Sequence, residues 1–86
     1  MSARVIIYTG PFCGYCSAAM RLLKSKGVAY EEFRTGSDPA LRAEMEQRSG
    51  RHTVPQVFID DQHVGGYDDL AALEQTGELD KLLGQG

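Results

Sequence analysis

Both cysteines of the 86-residue chain lie in one stretch, Thr9-Gly10-Pro11-Phe12-Cys13-Gly14-Tyr15-Cys16-Ser17, with the spacing C-x-x-C. An apolar run at residues 5–8 comes directly before it, and an amphipathic segment at residues 18–26 comes directly after. This order predicts a strand that ends just before Cys13 and a helix that begins at or just after it. The first N–H groups of a helix favour negative charge, so a thiol placed there has a lowered pKa. We therefore expect a reactive thiol at Cys13 and a second thiol, Cys16, close enough to form a disulfide with it.

The composition is that of a small globular protein with one domain. Hydrophobic residues make up 42% of the chain and charged residues 24%, and the net charge of −3 argues against nucleic acid as a partner. The first residues lack the apolar segment of a signal peptide, and no stretch of about 18 apolar residues predicts a membrane span. These features predict a cytoplasmic protein without a membrane association. In such a reducing compartment, a C-x-x-C pair is more often catalytic or metal-binding than structural.

A zinc site is the alternative interpretation of the two cysteines. Four ligands would require the chain's two histidines, His52 and His63, which lie much farther apart than the usual spacing of zinc-binding histidines. We therefore favour redox chemistry and predict no metal ligands. We expect both histidine side chains to be exposed and assign them no role.

The hydrophobic pattern predicts an α/β fold with the order β-α-β-α-β-β-α. The predicted strands cover residues 5–8, 28–34, 57–59 and a short return strand from His63 to Gly65-Gly66. The first predicted helix begins at or just after Cys13 and carries the apolar stripe Cys16, Ala19, Met20 and Leu23. The second covers residues 39–48, the third runs through Leu70 and Leu73, and a short last helix follows at Leu79, Leu82 and Leu83. The first two strands should be parallel because a crossover helix joins them.

Residues with known preferences for helix ends predict where the helices begin and end. Gly27 is placed to end the first helix, and Asp38 is placed to cap the second, with Pro39 at its first position. Asp68 or Asp69 is the expected cap of the third helix, which Gly77 should end.

Three separated motifs together resemble the glutaredoxin family, in particular its small bacterial class I members. They are C-G-Y-C at residues 13–16, Thr53-Val54-Pro55, and Gly65-Gly66-Tyr67-Asp68-Asp69. The resemblance covers nearly the whole chain, so it implies a single domain over residues 1–86. It also implies a thioredoxin-like fold, with a four-stranded mixed sheet flanked by helices.

The resemblance implies roles for both cysteines in a glutathione-dependent thiol–disulfide oxidoreductase. Cys13 resembles the nucleophile that attacks a glutathione mixed disulfide or a protein disulfide. Cys16 resembles the resolving cysteine, which is used when the substrate is a protein disulfide. Glutathione is then the co-substrate, and the partners are glutathionylated or disulfide-containing proteins. We expect a monomer.

The same resemblance implies a set of residues that bind glutathione. Tyr15 resembles the aromatic residue beside the bound glutathione. The Val54–Pro55 bond resembles the family's cis-proline turn, in which the residue before proline pairs with the cysteinyl part through its backbone. The complete predicted set is Tyr15, Arg42, Thr53, Val54, Pro55, Gly66, Tyr67 and Asp68, with Arg42 at the glycine carboxylate and residues 66–68 at the γ-glutamyl end.

Two positions depart from the commoner family pattern. Gly10 stands where many members have a lysine, so we expect a less depressed Cys13 pKa or weaker glutathione binding unless Arg42 or Arg51 compensates. Gly14 stands where many members have proline. Because some relatives without that proline assemble a glutathione-bridged [2Fe–2S] dimer, an iron–sulfur carrier or sensor is the alternative function.

Overall fold

A computed structural model describes residues 3–84 of the chain. Its elements follow the predicted order, and the predicted short last helix is present. They are β1 (Val5–Thr9), α1 (Gly14–Ser25), β2 (Glu31–Arg34), α2 (Pro39–Ser49), β3 (Gln56–Ile59), β4 (Gln62–Gly65), α3 (Tyr67–Thr76) and α4 (Glu78–Leu82). None of the helices within the described range has the length and apolar character needed to cross a membrane.

The four strands form one mixed sheet in the order β2-β1-β3-β4. β1 pairs parallel with β2, as predicted, and antiparallel with β3, which in turn pairs antiparallel with β4. All five residues of β1 are buried because helices cover both faces of the sheet. Alternate residues therefore point into two separate cores: Val5 and Ile7 into one, Ile6 and Tyr8 into the other.

The larger core is formed by β1, β3 and three helices. α1 contributes Ala19 and Leu23 from the predicted apolar stripe, and α3 and α4 contribute Leu70 and Leu79. On the opposite face, Met45 of α2 packs with Tyr8 and Phe58. Since α1 packs on the central strand from which the cysteine stretch emerges, this core fixes the position of the C-x-x-C segment.

The predicted helix ends are confirmed for α1 and α2. Gly27 has φ +73° directly after the C-cap Lys26. The Asp38 carboxylate accepts hydrogen bonds from the N–H groups of Ala40 and Leu41. The Gly27 N–H donates to the Lys24 carbonyl oxygen at 3.0 Å, so both helix ends provide partners for backbone groups that would otherwise be unpaired.

Several boundaries shift by one residue, and two features differ further from the prediction. β2 begins at Glu31 rather than residue 28, because Val28 and Tyr30 pack on the larger core from a segment outside the sheet. The expected cap of α3 by Asp68 or Asp69 is wrong: Gly66 is the N-cap and the helix begins at Tyr67. Asp69 instead occupies the third helical position, where its carboxylate accepts the Gly66 N–H at 3.0 Å.

Candidate active site

The cysteine pair lies at the N-terminus of α1. Cys13 is the N-cap residue, and its Sγ accepts a hydrogen bond of 3.1 Å from the Cys16 N–H. The two cysteines form a disulfide, with 5.2 Å between their Cα atoms. Cys16 is buried, with 2% of its surface exposed, whereas Cys13 is half-buried. Of the two sulfur atoms, that of Cys13 is therefore the one that a second molecule reaches first.

A second segment approaches the cysteines from the start of β3. The Val54–Pro55 peptide bond is cis, as predicted. The Val54 carbonyl oxygen lies 3.8 Å from Cys13 Sγ, although 41 residues separate them in sequence. Val54 lies before the first residue of β3, and within residues 3–84 its N–H has no hydrogen-bond partner. A peptide-like backbone group thus stands beside the accessible sulfur.

A groove of about 260 Å³ runs along this segment. Seven of the eight residues predicted to bind glutathione line it, and three further residues complete it. The predicted residues in the groove are Tyr15, Thr53, Val54, Pro55, Gly66, Tyr67 and Asp68, and the additional ones are Arg51, Gln56 and Asp69.

Two tyrosines form one wall of the groove. The rings of Tyr15 and Tyr67 stack with 6.2 Å between their centroids and 28° between their planes. Tyr15 keeps 66% of its surface exposed, so its ring is available to a ligand. This contact joins the cysteine segment to the start of α3.

An ion pair between Arg51 and Asp69 also lines the groove. Arg51 Nη1 lies 3.0 Å from the Asp69 carboxylate, which also accepts the Gly66 N–H. The hydrogen bond from Arg51, and then that from Gly66, lower the pKa of Asp69. Gly65 has φ +120°, and a Cβ on it would lie 2.8 Å from the Asp69 Cγ. Glycine is therefore required at this position by both its backbone conformation and the carboxylate beside it.

Arg42 does not line the groove. Its Nε lies 3.0 Å from the carboxylate of Glu46 on the same helix, and its Nη2 donates to the His52 carbonyl oxygen. Arg51, which we named as a compensating charge, lies in the groove and carries a positive charge there. The predicted contact between Arg42 and the glycine carboxylate of glutathione therefore stays a prediction.

The structure also contains a buried polar pair that the sequence interpretation missed. His63 is half-buried on β4 rather than exposed, and its Nε2 lies 2.7 Å from the Oε1 of Gln56. Gln56 is fully buried, and its amide donates to Thr53. The available signal for this pair was a polar residue, Gln56, between the proline and the apolar run at residues 57–59.

Gly10 and Gly14, the two positions with an unexpected glycine, have different surroundings. A Cβ on Gly10 would lie 3.1 Å from the Val54 Cγ2, whereas a Cβ on Gly14 would have no neighbour within 4 Å. Gly10 therefore lets the cysteine segment and the cis-proline segment approach closely, while Gly14 faces open space. Within residues 3–84, no three side chains of His, Cys, Asp or Glu come together as a metal site would require.

Comparisons with known proteins agree on one family. A family model described as Glutaredoxin matches residues 5–64. Glutaredoxin 3 of Escherichia coli (strain K12) is 56% identical over 81 residues, which cover 94% of this chain and 98% of that protein. The solution structure of glutaredoxin from Brucella melitensis superposes with a TM-score of 0.85 at 54% identity, covering 99% of this chain and 92% of that one. A crystal structure of a buckwheat glutaredoxin–glutathione complex gives a TM-score of 0.85 at 31% identity, covering 96% of this chain and 78% of that one. These matches confirm the predicted thioredoxin-like fold.

Proposed function

Since this chain belongs to the glutaredoxin family, we propose that it reduces glutathione mixed disulfides and protein disulfides with glutathione as the reductant. Family membership and the Cys13–Cys16 pair make it a thiol–disulfide oxidoreductase. The observation that carries the glutathione-dependent function is the 3.8 Å approach of the Val54 carbonyl to Cys13 Sγ at a groove of small-peptide size.

The surroundings of Cys13 support its role as the nucleophile. A thiolate at this sulfur would keep the hydrogen bond from the Cys16 N–H and would lie at the positive end of the α1 dipole. Both effects favour the charged form, which is the reactive one. No acidic residue lies in the first turn of α1 to oppose them.

The reaction with a mixed disulfide takes two steps. The Cys13 thiolate attacks the glutathionyl sulfur, so a Cys13–glutathione disulfide forms and the protein thiolate leaves and takes up a proton. A second glutathione, as its thiolate, then attacks the sulfur of the glutathionyl group on Cys13. Oxidised glutathione leaves, and the Cys13 thiolate is restored. The net change is a thiol–disulfide exchange, in which the mixed disulfide and one glutathione give the free protein thiol and oxidised glutathione.

A protein disulfide follows a different route, which uses Cys16. Attack by Cys13 on that disulfide leaves the substrate covalently bound. Cys16 then attacks Cys13, releases the substrate as a dithiol and forms the intramolecular disulfide. The proximity of the two cysteines, whose Cα atoms lie 5.2 Å apart, supports that step. Two glutathione molecules return it to the dithiol.

Each part of glutathione has a chemically suitable partner in the groove. The Val54 N–H and carbonyl can pair with the cysteinyl backbone as an added strand would. At the γ-glutamyl end, N–H groups of the first turn of α3 favour the carboxylate, and the Asp68 side chain suits the ammonium group. The rings of Tyr15 and Tyr67 offer an aromatic surface to the peptide, and Thr53, Pro55 and Gly66 also line the groove.

The glycine carboxylate requires a positive charge. We keep Arg42 as its predicted partner and add Arg51, which already lies in the groove. Reorientation of Arg42 would require it to leave Glu46 and the His52 carbonyl. A loss of glutathione affinity in Arg51→Ala that exceeds the loss in Arg42→Ala would favour Arg51.

The partners that follow from this function are glutathione and glutathionylated or disulfide-containing proteins. We propose that the chain acts as a single-domain monomer in the cytoplasm. Neither nucleic acid nor a membrane is required for any step.

A glutathione-coupled assay on a small glutathione mixed disulfide tests the proposal. Wild type and Cys16→Ser should both turn over, because the mixed-disulfide route uses Cys13 alone, and Cys13→Ser should be inactive. With a protein disulfide as substrate, Cys16→Ser should lose most of its activity. Wild type that fails to use glutathione would refute the proposal.

The second candidate is a glutathione-bridged [2Fe–2S] dimer. Cys13 is accessible, Cys16 is buried, and Gly14 leaves open space beside the sulfur. One chain therefore offers Cys13 alone as a cluster ligand, so two chains and two glutathione thiolates would complete the set. Visible absorbance of anaerobically purified protein, together with a dimeric mass that falls when the cluster is removed, would identify this form.

A further inference from the structure

Gln56 is a fully buried amide that lies directly after the cis-proline. Its exposed fraction is 0%, and within residues 3–84 the other buried polar residues are Thr9 and Thr35. A buried amide group without a partner is strongly destabilising. The Gln56 Nε2 donates to the Thr53 carbonyl at 3.1 Å and to Thr53 Oγ1 at 3.2 Å. The amide nitrogen thus makes both contacts with Thr53, a residue that lines the groove.

The Thr53 carbonyl determines the orientation of the amide. Because a carbonyl oxygen only accepts hydrogen bonds, the atom 3.1 Å from it must be the amide nitrogen of Gln56. The Oε1 of Gln56 therefore faces His63, whose Nε2 lies 2.7 Å away. Since Oε1 only accepts, the hydrogen must be on the His63 Nε2.

The surroundings of His63 keep its ring in place. The ring packs on Phe58 with 5.0 Å between centroids, and Arg51 and Asp69 are the charged groups that face it. Burial lowers the pKa of His63, the Arg51 charge adds to this effect, and Asp69 opposes it. The Nε2–H of this tautomer is a donor in both the neutral and the charged form of the ring.

The chain of contacts therefore runs from β4 to the cysteine pair. His63 holds Gln56, Gln56 holds Thr53, and Thr53 precedes Val54, whose carbonyl lies 3.8 Å from Cys13 Sγ. We propose that His63 and Gln56 are positioning residues, which hold the backbone of Thr53-Val54 in the orientation that pairs with the substrate's peptide groups. The effect on enzyme kinetics that this inference predicts rests on the proposed function.

Replacement of His63 tests the inference without a change in the catalytic or binding residues. His63→Leu keeps an apolar group on Phe58 but removes the donor, whereas His63→Gln keeps an N–H donor at similar reach. Loss of one such hydrogen bond predicts that His63→Leu raises KM for a small glutathione mixed disulfide about 3- to 10-fold. We expect kcat to stay within about 2-fold, because Cys13 and the α1 N-terminus are untouched.

The conservative variant and a matched control separate this role from packing. His63→Gln should restore the wild-type KM, and His52→Leu, at the exposed histidine, should leave it unchanged. An unchanged KM in His63→Leu would overturn the inference. An equal rise in His63→Leu and His63→Gln would also overturn it, since that result would assign the effect to ring packing.

Nuclear magnetic resonance of the same variants gives a readout that does not depend on activity. We expect the Nε2–H tautomer of His63 in wild type and a shift of the Val54 amide resonance in His63→Leu that His63→Gln largely reverses. An Nδ1–H tautomer, or an unmoved Val54 amide, would contradict the inference. If wild type fails to use glutathione, the proposed function fails, and the resonances alone decide on the positioning role.

Discussion

Gly65→Ala should disrupt the part of the groove at which Arg51, Asp69 and Gly66 meet. The new Cβ would overlap Oδ2 of Asp69 and lie 2.8 Å from its Cγ, at a residue with φ +120°. Left-handed backbone costs an L-residue about 1–2 kcal/mol. The displaced carboxylate also loses the Gly66 N–H, a cap worth about 1 kcal/mol, and the half-exposed Arg51 pair, worth up to about 1 kcal/mol. We therefore expect Gly65→Ala to lower the free energy of unfolding by about 2–4 kcal/mol.

Urea denaturation of four variants measures the two parts of this effect separately. Gly50→Ala is the matched control, because Gly50 has φ +70° and a Cβ there would have no neighbour within 4 Å. It should show the backbone term alone, about 1–2 kcal/mol. Asp69→Ala removes the group that the new methyl meets, so Gly65→Ala combined with Asp69→Ala should cost less than the sum of the two single changes.

Two results would refute this reasoning. If Gly65→Ala costs no more than Gly50→Ala, the carboxylate does not restrict position 65. If the double variant is additive, the two residues do not interact as the structure indicates. In either case the account of why glycine precedes the Gly66 cap would be wrong.

Three further variants test other parts of the structure. Burial lowers the pKa of His63 below 6.5, so as the pH falls the unfolded chain binds a proton at His63 before the folded chain does. The free energy of unfolding should therefore decrease as the pH falls below about 6.5. Urea titrations of His63→Gln should lack this pH dependence, and an identical dependence would contradict the lowered pKa. Phe12 is fully exposed and has φ +54°, a backbone conformation that is strained for phenylalanine and that asparagine adopts more readily. Phe12→Asn should therefore stabilise the protein by about 1 kcal/mol in urea denaturation, and a loss of stability would contradict this strain. Lys26 Nζ lies 2.7 Å from carboxylate oxygens of both Glu74 and Asp80. Lys26→Met should therefore speed the exchange of the backbone amide hydrogens of α4. Unchanged exchange rates would show that these ion pairs do not stabilise the helix.

Local patterns in the sequence were sufficient to predict the centre of the site. The apolar run before Cys13 and the stripe Cys16, Ala19 and Leu23 after it have the periods of a buried strand and an amphipathic helix, and both elements form. The helix ends at Gly27 and Asp38 were equally local, since one residue and its neighbours decide each of them. The cis bond at Pro55 was predicted only through the resemblance to a family.

Contacts between distant segments could not be predicted in the same way. Arg51 and Asp69 are 18 residues apart, and their pairing depends on how α3 packs beside the loop before β3. The wrong cap assignment has a separate cause: Asp69 lies inside the helix and its carboxylate accepts the N–H of Gly66, the N-cap residue. Gln56 and His63 meet across the β3–β4 pair, whose register shifts between Val57 and Phe58, so the strand sequences alone gave no alignment.

The most direct test of the account is the structure of the trapped intermediate in solution. Cys16→Ser treated with oxidised glutathione should gain one glutathionyl group on Cys13, detected by mass spectrometry. Nuclear Overhauser contacts should then connect the glutathione protons to Val54, Tyr67 and Asp68. An adduct on Cys13 without those contacts, or no adduct at all, would contradict the claim that this groove holds glutathione for attack at Cys13.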